Sequence, residues 1–175
     1  MRPSTNRSIV LALSVIATAC SGDISSSMSS PTGASFVQTN GAQPVRFSGS
    51  IVTADRAVVA PPFLLATGTG EGTATHLGRF TATYEAAADL ATPTATGTYR
   101  FTAANGDRLV ATFVGTAVAL KPGLERFTEV LTIVSGTGRF AAAAGTITLV
   151  RLVSIDYAAG TSTSTGSTEG AITLK

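Results

Sequence analysis

Cysteine, histidine and tryptophan are almost missing from this sequence: its 175 residues hold one Cys, one His and no Trp. One cysteine builds no internal disulfide framework, and one histidine leaves no Cys/His metal cluster of usual spacing, so no metal site and no cofactor are expected. A histidine-dependent triad has only His76 to work with. Charge of one sign is scarce as well. Twelve Lys+Arg stand against ten Asp+Glu, and the surplus of two is Arg2 and Arg7; from Cys20 onward the signs balance. Such a chain lacks the basic footprint of a nucleic-acid binder, and no nucleic-acid partner is expected. Long hydrophobic runs are also wanting. The apolar stretch from Ile9 to Ile16 falls far short of the ~20 residues a membrane-crossing helix needs.

What the N-terminus does contain has the layout of an export signal. Arg2 and Arg7 form a positive region, Ile9 to Ile16 a short apolar core, and Ala17-Thr18-Ala19 a small-x-small cleavage pattern. Cys20 follows directly, and Thr18-Ala19-Cys20 resembles the lipobox of bacterial lipoproteins, in which the cysteine is acylated; Ala17 stands where that family usually has Leu. Residues 1–19 therefore read as a signal peptide, with Cys20 as the lipidation site and the cell envelope as destination. Cleavage after Ala19 without acylation, giving a secreted or periplasmic protein, is the alternative. Residues 20–43 are rich in Ser, Gly and Thr with one charge, Asp23, and read as a flexible tether reaching roughly 25 Å. An edge strand over Ser35 to Thr39 is the other reading of that stretch.

Residues 44–175 form the folded domain. Short segments rich in Val, Ile, Thr, Phe and Tyr alternate with Gly, Pro or Asn, and no helical period runs beyond ten residues. Eight strands are expected: Val45 to Thr53, Phe63 to Thr69, Thr75 to Tyr84, Gly97 to Ala104, Asp107 to Ala117, Glu125 to Val134, Gly145 to Ser154 and Ser167 to Leu174. Asn105-Gly106 predicts a hairpin with a two-residue type I′ turn. The alanine-rich run Glu85 to Leu90 is compatible with a helical turn, Gly68, Gly70 and Gly72 with a bulged or bent strand, and Thr161 to Thr165 with a flexible loop or O-glycan carrier. Strand residues alternate, Tyr99, Phe101 and Ala103 against Thr98, Arg100 and Thr102, so each strand buries one face. The class is all-β, a sandwich or a closed antiparallel barrel, and closure has the advantage of leaving no exposed edge.

Gly136-Thr137-Gly138-Arg139-Phe140, followed by Gly145 and the alternating Thr146 to Val150, resembles the GTG-x-F-x-x-x-x-G signature of the allene oxide cyclase and dirigent barrels. His76-Leu77-Gly78-Arg79-Phe80, the Asn105-Gly106 hairpin and the closing Glu169-Gly170-Ala171-Ile172 are similar to uncharacterised bacterial relatives of that group. The resemblance implies an eight-stranded antiparallel barrel, a homo-oligomer (trimer or dimer), and a hydrophobic cavity. The family's cavity residues find no matching motif here, so no catalytic residue is carried over.

Candidate site residues come from alternation. Arg151 keeps register with Ile147, Leu149 and Val153, and Glu129 with Phe127, Leu131 and Ile133. If those faces are interior, the two charges pair across the barrel and mark a polar spot in an apolar cavity, since an unpaired buried charge is costly. If instead Val130, Thr132, Thr148 and Val150 face inward, the charges lie outside. Tyr99 and Phe101 complete the candidate ligand-binding set. His76 reads as a turn-stabilising residue rather than a base. The function expected is a non-enzymatic, exported module that binds a small apolar ligand or serves at the surface. A cofactor-free cyclase or isomerase using Glu129, Arg151 or Tyr99, and a structural domain filled by Phe80, Phe101, Phe113 and Phe127, are the alternatives.

Overall fold

The computed structural model describes residues 43–174; the expected signal peptide, Cys20 and the tether to residue 42 lie outside the described residues. Eight strands follow one another: β1 (Val45–Ala60), β2 (Phe63–Ala74), β3 (Gly78–Asp89), β4 (Thr94–Ala103), β5 (Arg108–Lys121), β6 (Leu124–Gly136), β7 (Ala144–Asp156) and β8 (Thr161–Thr173). Each pairs antiparallel with its chain neighbour, and β8 returns to β1, with Val45 opposite Ile172, closing the barrel. The expected eight-stranded closed antiparallel barrel is the fold observed. No helix among the described residues is long and apolar enough to cross a membrane.

Strands run longer than propensity alone predicts, because the ladders on both sides enforce them. Ala86, Ala87 and Ala88, read as a possible helical turn, pair with Ala66, Leu65 and Leu64 on one side and with Gly97, Thr96 and Ala95 on the other. Intrinsic helix preference is worth under about 1 kcal/mol per residue, and two ladders of hydrogen bonds outweigh it. Thr161 to Thr165 is likewise strand, paired to Arg56–Val52 of β1 and Asp156–Leu152 of β7, and not a loop. Gly68, Gly70 and Gly72 sit in unbroken register between β1 and β3, without a bulge and without a phosphate loop.

The Asn105-Gly106 hairpin forms, but with a three-residue loop instead of the two-residue type I′ turn. The Gly106 amide donates to the Ala103 carbonyl at 2.9 Å, and the Ala103 amide to the Asp107 carbonyl at 2.9 Å. Only Gly106 takes positive φ, at 86°, giving a turn closed by a glycine bulge, the next commonest solution for hairpins. Asn105 instead uses its side chain, donating to Asp107 Oδ2 at 2.9 Å and accepting from the Asp107 amide at 3.2 Å.

One end of the barrel is filled. Phe47, Phe80, Phe101, Leu109, Ile133, Ile147 and Ile172 meet there, all buried. Two residues from the connections seal it: Leu77, between β2 and β3, and Phe140, from a short 3₁₀ turn over Gly138–Phe140, at 1% and 0% exposure. Phe140, the aromatic residue of the GTG-x-F segment, thus anchors that turn against the core. That turn is tied to the neighbouring hairpin, with the Arg108 amide donating to Thr137 Oγ1 at 2.9 Å. The opposite end, where β1–β2, β3–β4, β5–β6 and β7–β8 connect, carries the site.

Candidate functional site

The inward face of β6 presents Phe127, Glu129, Leu131 and Ile133, and that of β7 Ile147, Leu149, Arg151 and Val153; Val130 and Val134 are exposed. Glu129 and Arg151 are therefore interior, with side chains 4% and 3% exposed. They form a two-pronged ion pair: Arg151 Nη2 donates to Glu129 Oε1 at 2.7 Å and Nε to Oε2 at 3.1 Å. Such geometry matches a planar guanidinium to a carboxylate and is the strong form of the interaction. The remaining Arg151 nitrogen, Nη1, donates to Tyr84 Oη at 3.1 Å, Thr53 Oγ1 at 3.3 Å and Ser164 Oγ at 3.4 Å, and lies 3.7 Å from Asp55 Oδ2. Tyr99 donates its phenol proton to Glu129 Oε2 at 3.1 Å. The guanidinium also stacks 5.1 Å from the Tyr84 ring centroid and 5.5 Å from that of Phe127.

This network accounts for nearly every polar atom at the barrel's waist, as burial of charge demands. Two buried side-chain atoms among the described residues have no partner, Asp55 Oδ1 and Thr168 Oγ1, while Asp55 Oδ2 accepts from Thr53 and Ser162 at 3.3 and 3.1 Å. Electrostatics follow the packing. Burial pushes the Tyr84 phenol well above its ordinary range, Arg151 opposing and Asp55 reinforcing the shift. Tyr99 is raised first by burial and then by the charge of Glu129. For Arg151 burial works against the cation, but Tyr99 and Glu129 outweigh it and hold the guanidinium charged.

Beyond the network the barrel opens into a pocket of about 440 Å³. Arg151, Glu129, Tyr84 and Asp55 form its floor, and Ala66, Ala86, Ala117, Phe127, Val153 and Ile155 its walls. A wider groove of about 570 Å³ crosses the outer wall beside Val52, Glu71 and Thr102, but no buried polar side chain lines it. The inner pocket has the features of a small-molecule site: concave, apolar-walled, with a few convergent polar groups.

No protein-family model matches the chain, and no curated protein matches it. Among solved structures the chain is similar to a dirigent protein. The structure is that of the pterocarpan synthase dirigent protein GePTS1, at 14% identity and a TM-score of 0.49, covering 76% of this chain and 92% of that one. At that identity the similarity assigns no ligand, activity or residue role.

Of the residues singled out from sequence, Glu129 and Arg151 come together at the pocket floor. Tyr99 stands behind Glu129, fully buried, and Phe101 stacks on Tyr99 at 5.5 Å toward the filled end; neither lines the pocket. His76 lies in the β2–β3 turn at the opposite end, its ring Nε2 3.2 Å from the Arg46 carbonyl oxygen. Among the described residues no group of three His, Cys, Asp or Glu is placed to hold a metal ion. Sequence reasoning missed Asp55, Tyr84, Thr53 and Ser164. Their signal was alternation carried further: Asp55 continues the series Phe47, Ile51, Thr53, and Tyr84 the series Phe80, Ala82.

Proposed function

We propose that the barrel is an exported binding module for a small, largely apolar molecule, held at the cell envelope through acylated Cys20. The observation that carries the binding reading is the pocket itself, apolar on its walls and ending on the buried Arg151–Glu129 pair. A filled structural domain is hard to reconcile with about 440 Å³ of open space. A cyclase or isomerase using Glu129 or Tyr99 fits less well, since Glu129 already receives two hydrogen bonds from Arg151 and one from Tyr99. Neither group is free to move a proton without dismantling the network. Export and anchoring rest on Arg2, Arg7, the Ile9 to Ile16 run and Ala17-Thr18-Ala19-Cys20.

The test is saturable binding of the neutral fluorescent probe N-phenyl-1-naphthylamine to the mature chain, compared with Ala86→Phe, which places a ring in the pocket. Saturable binding lost in a variant of unchanged melting temperature is expected. Equal binding by both proteins would place the probe elsewhere and remove the assignment. Native mass spectrometry of protein from its own host weighs the anchor: a diacylglycerol-sized increment on a chain beginning at Cys20 is expected, and an unmodified mass overturns it.

A further inference from the structure

The charges that line the pocket are unbalanced. Five carboxylates, those of Asp55, Asp89, Glu125, Glu129 and Asp156, face a single cation, Arg151. Arg151 is committed to Glu129 by two hydrogen bonds and approaches Asp55 at 3.7 Å, so Asp89, Glu125 and Asp156 remain at the rim without a counter-charge. None of these three is in an ion pair among the described residues. Two are fixed in place by the backbone: Asp89 Oδ1 accepts the Ala91 amide at 2.7 Å, and Asp156 Oδ1 the Ala158 and Ala159 amides, both at 3.0 Å. Tyr157, 68% exposed, lines the same rim and offers an aromatic face. Lys121, the last residue of β5, lies at this end but does not line the pocket.

We propose that the ligand is an apolar cation: a hydrocarbon body that fills the pocket and a protonated amine or quaternary ammonium that stays at the rim among Asp89, Glu125, Asp156 and Tyr157. This rests on the binding function proposed above and names the ligand class. An anionic head fits poorly, because the one interior cation is already saturated and the rim repels negative charge. A low-dielectric wall beside unpaired carboxylates focuses their field on the opening, which favours a cation both in approach and once bound.

Three decyl compounds of equal chain length separate charge from hydrophobicity: decylammonium, decan-1-ol and decanoate, each displacing N-phenyl-1-naphthylamine from the full mature chain. Decylammonium is expected to bind on the order of tenfold more tightly than decanol, and decanoate more weakly, with the spread shrinking as salt is raised. In the Asp89→Asn/Glu125→Gln variant the preference for decylammonium over decanol falls toward unity. Equal affinity for all three overturns the cation assignment and leaves the pocket in place. Tighter decanoate overturns it as well and makes Arg151 the anchor. Failure of the probe and of every decyl compound to bind overturns both the cation assignment and the binding function.

Discussion

Glu129 stands directly opposite Gly115 across the β5–β6 ladder, and a Cβ at position 115 would lie 2.8 Å from Glu129 Cγ. The same relationship recurs around the barrel. Gly166 faces Arg151, with 2.7 Å from the added Cβ to Arg151 Cγ, and Gly68 faces Tyr84, whose Cζ would be met at 2.6 Å. Glu129, Arg151 and Tyr84 thus each occupy the space that a missing side chain leaves on a neighbouring strand. Gly115→Ala and Gly166→Ala are each expected to destabilise the fold by about 1–3 kcal/mol, through overcrowding of a packed interior. Urea unfolding measures it, with Thr116→Ala on the outer face as the control expected to change little.

Arg151→Leu leaves Glu129 and Asp55 buried without their cation. Loss of about 3–5 kcal/mol is expected, the usual result of removing one partner from a buried pair. The double variant Arg151→Leu/Glu129→Leu removes both charges and recovers part of that loss. Chemical denaturation of the two single variants and the double gives the coupling directly; simple additivity would show that the pair contributes nothing as a pair.

The raised phenols predict an alkaline limit. In the unfolded chain tyrosine loses its proton near pH 10, whereas Tyr84 and Tyr99 keep theirs to higher pH in the barrel. Above that point the native state binds more protons than the unfolded one, so stability falls as pH rises and is unaffected below it. Spectrophotometric titration should find the phenolate absorbance of these two tyrosines, of three in the chain, withheld until the fold is lost. Tyr84→Phe/Tyr99→Phe should flatten the alkaline decline.

Phe140 closes the filled end. Phe140→Ala is expected to cost about 3–5 kcal/mol, because it removes a fully buried ring and opens a cavity beneath the sealed end. The pocket lies at the other end, so probe binding by the folded fraction should be unchanged. Thermal unfolding and probe titration on one sample read both.

The strand count, the antiparallel order and the inward placement of Tyr99, Phe101 and Ala103 were legible because the side-chain period of two survives in nearly every segment. The pairing of Glu129 with Arg151 was legible for the same reason, although alternation alone left open which face was inside. Strand ends were hidden where alanine, serine and threonine carry little hydrophobic contrast, as at Ala86 to Ala88 and Thr161 to Ser164; ladders on both flanks decide those stretches. Asp55 was missed because β1 continues beyond Thr53, where its apolar residues thin out; Tyr84 lay at the end of the expected third strand, and only the closed barrel shows that its hydroxyl meets Arg151. Gly68, opposite Tyr84, reads as a bulge or bend in one dimension and Gly115, opposite Glu129, as an ordinary strand residue; their role as space for a neighbour appears only once register pairs them.

With Phe140 and Leu77 sealing one end, the barrel is a cul-de-sac, and a molecule that reaches Arg151 has to leave by the way it came. Arrival and departure then cross one and the same barrier. Constricting the opening, for instance at Leu90, slows both processes by the same factor and leaves the dissociation constant where it was. Residence time can therefore be lengthened without a change in affinity, by narrowing the opening at a residue that does not touch the bound molecule.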